Sequence, residues 1–161
     1  MSGMRNTTAG LLIVAGFLVS TAAPAESTDA IGMGTWTLNP AQSSFKPGPA
    51  PQGLTTSFEA VGTGVKWTSQ RQGPDGKPMT TSYTGSYDGK EYPVTGSSTT
   101  DMVVLRRIDA HTTERINKKD GKVVSTELRT VAKDNKSYTT TVTGMTAKGE
   151  PIDTRMVFDR K

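Results

Sequence analysis

Two adjacent arginines, Arg106 and Arg107, sit inside an otherwise apolar strand-like run, Met102 to Ile108. A guanidinium is a planar fork of donors that fits a carboxylate bidentately. Side chains alternate across a strand, so only one of the two can face inward. With Met102, Val104 and Ile108 inward it is Arg106. With Val103 and Leu105 inward it is Arg107. A charge buried without a partner is very costly, so the inward arginine must be paired or solvated. Glu114 on the following strand would make a structural pair. The carboxylate of a bound ligand would make a binding site.

Other chemistry finds little footing. His111 is the single histidine and there is no cysteine, so a zinc site of usual composition cannot be assembled. His111 reads as an exposed turn residue. Asp75, Asp88 and Asp120 each stand nearly alone, without the spaced carboxylates of an EF-hand loop. No serine or threonine has a recognisable base and orienter. Nothing in the sequence favours any two of the 15 acidic residues as a hydrolytic pair. The expectation is a non-enzymatic protein with no metal and no cofactor. The net charge is +4, and its only clusters are Arg106–Arg107 and residues 118–122. Without a basic stripe or recognition motif, nucleic acid is not expected as a partner.

The elements that position these residues are strands. Threonine is abundant after residue 25, and no window keeps an i, i+3, i+4, i+7 apolar pattern. Turn signals recur at residues 74–77, 87–90, 119–122, 133–136 and 147–150, mostly Asp-Gly or Asp-Asn. These tolerate the positive φ of tight hairpins. Weaker turns at 95–98 and 109–112 complete the rhythm of a β-meander. Strands are predicted at 34–38, 55–61, 65–72, 78–87, 89–94, 101–108, 112–118, 122–131, 137–143 and 151–159. Many carry one apolar and one polar face, the mark of an antiparallel sheet round one core. The expected fold is all-β, an antiparallel up-and-down meander closing into a single barrel of about ten strands, which removes exposed edges. Inward candidates are Trp36, Leu38, Phe58, Val65, Trp67, Met79, Tyr83 and Tyr87. Further along they are Met102, Val104, Ile108, Ile116, Val124, Leu128, Tyr138, Val142, Ile152, Met156 and Phe158.

The first residues read as an export signal. Arg5 precedes the apolar run Leu11 to Val19, too short to span a bilayer, and Ala23-Pro-Ala25 fits the cleavage rule. The domains are therefore a signal peptide at 1–25, a flexible segment at 26–33 and a barrel at 34–161. The expected localisation is periplasmic or extracellular, with no stable membrane insertion after cleavage.

Gly34-Thr35-Trp36, followed by a meander, resembles the calycins, the lipocalins and fatty-acid-binding proteins. The resemblance implies that Trp36 closes one barrel end under a basic side chain from near the C-terminus. Arg160 is the best match and Arg155 the alternative. Fatty-acid-binding proteins hold carboxylates with interior arginines, one in a C-terminal Arg-x-Tyr. This chain instead has Arg155-Met-Val-Phe158, which departs from that motif. Residues 34–51 also resemble short secreted bacterial proteins of unsettled function that share GTWxLNxxxSxFxPGPxP.

Asn39-Pro40 reads as the start of one helical turn. Residues 45–53, with three prolines, read as an extended stretch without ladder bonds, either a lid over the barrel mouth or a stiff connector. The expected function is an exported lipocalin-like barrel binding a small apolar or amphipathic ligand. Its contacts would be Arg106 or Arg107 with Tyr83, Tyr138 and Trp67. The alternative is a filled barrel that acts through its surface as an envelope or extracellular interaction or assembly protein.

Overall fold

A computed structural model describes residues 31–161. The expected signal peptide and most of the segment before the barrel lie outside them. Ten strands form one closed antiparallel barrel in chain order. They are β1 (Gly34–Leu38), β2 (Thr55–Val61), β3 (Gly64–Gln72), β4 (Pro78–Gly85) and β5 (Asp88–Thr95). There follow β6 (Met102–Arg107), β7 (Thr112–Lys119), β8 (Lys122–Val131), β9 (Ser137–Met145) and β10 (Pro151–Arg160). The all-β meander read from the turn rhythm is the fold, and β10 returns to β1 to close it, with Trp36 opposite Arg160 and Leu38 opposite Phe158.

Turn chemistry sets the hairpins. At the β7–β8 tip Asp120 and Gly121 both have positive φ, 50° and 76°, which matches the right-handed twist of the flanking strands. A bulge then shifts the register at Asn117, so that Arg115 lies opposite Glu127. The Asp88-Gly89 pair, expected at a hairpin tip, falls inside β5, where the β5–β6 register shifts between Asp88 and Glu91. The β4–β5 seam is the thinnest, paired only at Ser82–Thr95 and Tyr83–Val94.

Asn39 caps a 3-10 turn over Pro40–Gln42, its side chain accepting from the Gln42 N–H. The connector then runs beside β10. Ser44 bridges Arg155, and the Lys46 carbonyl accepts from the Asp153 N–H at 2.9 Å. The start of the proline-rich stretch thus does make ladder-type bonds, contrary to the sequence reading.

The barrel has two unlike ends. One is the end where β1 starts and β10 finishes. Its core holds Trp36, Phe58, Tyr138 and Phe158, with Tyr138 stacked on Phe158 at 4.6 Å and edge-on to Trp36 at 5.1 Å. Residues 31–33, expected as the end of a flexible lead-in, are packed here: Gly32 is buried and Ile31 and Met33 pack against the core. The other end carries the proline-rich connector and opens onto the interior.

The inner and outer faces of β6, β7 and β8 are the reverse of those expected for several apolar residues. Val103 and Leu105, each 1 % exposed, fill the core. Ile108 and Leu128, expected inside, are exposed. Val104 and Ile116 lie opposite one another on the outer face. There the Glu91–Lys118 ion pair spans β6 from β5 to β7. Met102 shares that outer alternation, and Val124 is the unpaired residue of the β8 bulge, between Val123 and Ser125. The inner positions on β7 and β8 above Val131, which stays in the core, are polar instead: Arg115, Asn117, Ser125, Glu127 and Arg129.

Candidate functional site

At the closed end, Trp36 is fully buried and its indole N–H donates to the Gly32 carbonyl at 3.2 Å. The Arg160 guanidinium lies 4.3 Å over the ring, and its Nε donates to the Asn135 carbonyl at 2.7 Å. Gly34 makes room for this lid: its φ is +117°, and a Cβ there would meet Arg160 Nη1 at 2.6 Å. Arg155 is not part of this stack, since its Nη1 donates to the Gln42 carbonyl on the outside.

A charged layer crosses the middle of the barrel. Arg115 is ion-paired with Glu127, both side chains largely buried. The Arg115 guanidinium also lies 4.4 Å over Trp67 and 5.6 Å over Tyr83, which are stacked on each other at 5.2 Å. Burial is the largest influence and works against the Arg115 charge, but Glu127, Tyr83 and Tyr138 together outweigh it, so its pKa stands above the usual value. One step toward the closed end, Arg129 lies 3.8 Å over Phe58 and 5.0 Å over Tyr138 and donates to the Gly32 carbonyl at 3.0 Å. Burial pushes its pKa down.

Two tyrosines complete the layer. Burial pushes Tyr83 up to about 12, against the pull of Arg115. Burial also raises Tyr138, whose hydroxyl is hydrogen-bonded to that of Thr56 at 2.6 Å. Both phenols stay protonated across the physiological range and can donate.

Above this layer two recesses open to solvent. The larger, about 200 Å³, is lined by Leu54, Trp67, Arg71, Arg115, Tyr138 and Phe158 among others, with Pro51 of the connector at its edge. The smaller, about 150 Å³, lies against Thr81, Tyr83, Val94, Thr100 and Asn117. Trp67, Ser69 and Arg115 belong to both walls. The lining mixes aromatic rings, hydroxyls and two cations, a surface suited to an amphipathic molecule with a negative group.

Three of the five expected ligand contacts, Trp67, Tyr83 and Tyr138, come together around these recesses. The two adjacent arginines do not join them. Arg106 is on the outer face, 3.6 Å from Glu114 and 56 % exposed at its side chain. Arg107 turns inward but toward the closed end, 4.7 Å over Tyr87. The arginines that reach the recesses are Arg115 and Arg71, which sequence reasoning missed. The signal was there in part: Arg115 and Glu127 are opposite charges in facing strands. Counting pairs outward from the Asp120-Gly121 turn sets Arg115 against Thr126, and only the bulge brings Glu127 to it. His111 is half-buried rather than exposed, held in a turn by Asp109, whose carboxylate accepts from the His111 and Thr112 N–H groups.

The chain matches no family model, and no curated protein matches it.

Proposed function

We propose that this protein is an exported barrel of calycin type that binds one small amphipathic anion at its open end. The observation that carries the reading is the shared wall of the two recesses, where Arg115, backed by Glu127, meets Trp67 and Ser69. A filled barrel would put large apolar side chains there. This one has serine, threonine and asparagine hydrogen-bonding groups beside aromatic rings. Arg71 in the larger recess adds a second cation near the solvent. Gly34, Trp36 and Arg160 at the opposite end support the likeness to calycins. Export rests on the Arg5, Leu11–Val19 and Ala23–Ala25 signal alone.

The test is a titration of the folded protein with two fluorescent probes, anionic 1-anilinonaphthalene-8-sulfonate and neutral N-phenyl-1-naphthylamine. Both should saturate near one equivalent. Ser69→Trp, which fills the common wall, should abolish both. Arg71→Met should weaken the anionic probe more than the neutral one. Non-saturating fluorescence that Ser69→Trp leaves unchanged would reject the recess as a binding site.

A second reading is favoured by one outer groove of about 240 Å³ between β8 and β9, lined by Val123, Thr126, Thr143 and Met145. Val123 and Met145 are 61 % and 56 % exposed. In that reading the barrel works through its surface on another protein. Val123→Glu separates the two, since it should disturb association and leave probe binding intact.

A further inference from the structure

Beneath the Arg115–Glu127 pair lies a separate pit of about 10 Å³, walled by Phe58, Tyr83, Leu105, Arg115, Glu127 and Arg129 among others. That is room for one water or one halide, and too little for a carboxylate or phosphate. The Nε–H groups of both Arg115 and Arg129 are buried and have no hydrogen-bond partner. Arg129 is only 5 % exposed.

Charge balance separates the two occupants. The Glu127 carboxylate is committed to Arg115. Among the described residues no carboxylate is ion-paired with Arg129, which faces two rings and one carbonyl. Rings and a single carbonyl offset a buried cation only in part. A water would accept from the two free donors and leave the charge standing. An anion would do both.

We propose that the pit holds a single halide-sized anion, chloride in physiological salt, hydrogen-bonded by the Nε–H groups of Arg115 and Arg129. It is a structural ion, distinct from the ligand at the open end, and its site does not depend on that ligand being bound.

Two measurements on the processed full-length protein decide it. Thermal unfolding is followed in sodium chloride and in sodium gluconate at matched ionic strength. Gluconate is too large for the pit. A saturable rise in midpoint is expected with chloride only, on the order of 5 °C at saturation for one site in a domain of this size. Arg129→Met should lose the chloride dependence, and Arg106→Met, on the outer face, should keep it. Because Arg129→Met also removes a buried side chain, a second measurement leaves the protein unaltered: wild-type crystals are soaked in sodium bromide. The expected anomalous peak lies between the two Nε atoms. Superimposable chloride and gluconate curves would overturn the proposal. So would bromide found only on the surface, with a water in the pit.

Discussion

The barrel contains two tryptophans, and each lies under an arginine, yet the two pairs do opposite things. Trp36 is fully buried, with Arg160 4.3 Å over it and Gly32 bonded to its indole. Trp67 is half-buried, with Arg115 4.4 Å from it, and it lines both open recesses. At the closed end the ring carries the stability and the arginine is a cover at the rim. In the interior the arginine is the member under strain of burial, because its charge needs Glu127. The same contact geometry therefore predicts different weak points.

Truncation should expose the contrast first. Trp36→Ala should cost about 3–5 kcal/mol, as other large aromatic truncations in cores do, read from the denaturant midpoint. An unchanged midpoint would mean the closed end is not sealed by this ring. Arg115→Met should cost a similar amount, about 3–5 kcal/mol, because it strands the Glu127 carboxylate in a low-dielectric layer. The double variant Arg115→Met with Glu127→Leu should recover much of that loss. If the single variant is as stable as the parent, the charged layer is more solvated than its burial implies.

Alkaline unfolding tests the layer without mutation. Tyr83 has a folded pKa near 12 against an ordinary 10.0. The folded state therefore holds this proton more tightly than the unfolded chain does. The associated stability is complete below pH 10 and is lost as pH rises from 10 to about 12. A two-unit shift corresponds to roughly 2–3 kcal/mol, and Tyr138 acts in the same direction. Tyr83→Phe should flatten the decline. The smallest effect is expected for Arg160→Ala, about 1 kcal/mol for a stacked cation at the rim, and it should leave probe binding at the far end untouched.

The outline of the fold was legible and the site only partly so, for one physical reason. Asp-Gly and Asn turns have specific backbone demands, so the strands between them could be located closely, from β1 at residue 34 to β10 ending at Arg160. Which face of a strand turns inward was inferred from where the apolar residues lie. That rule works for Trp36, Phe58, Tyr83, Tyr138 and Phe158, in or near the apolar core. It fails on β7 and β8, where Ile116 and Leu128 lie outside and Arg115, Glu127 and Arg129 lie inside. An inner surface that meets solvent or a ligand has no reason to be apolar, so failure of the pattern there is itself a sign of a site. At Arg106–Arg107 two charges interrupt an apolar run. The outer one is simply balanced by Glu114 across the strand, a pairing worth little at the surface.

The two tryptophans also supply the most direct test of the central claim, that the open end is where a small amphipathic anion binds. Their indole N–H signals can be followed separately by 15N-resolved NMR while 1-anilinonaphthalene-8-sulfonate is added to the folded protein. Trp67 should shift and saturate near one equivalent, and Trp36 should stay where it is. Movement of Trp36 with Trp67 fixed, or no movement of either when the probe is saturating, would contradict the account.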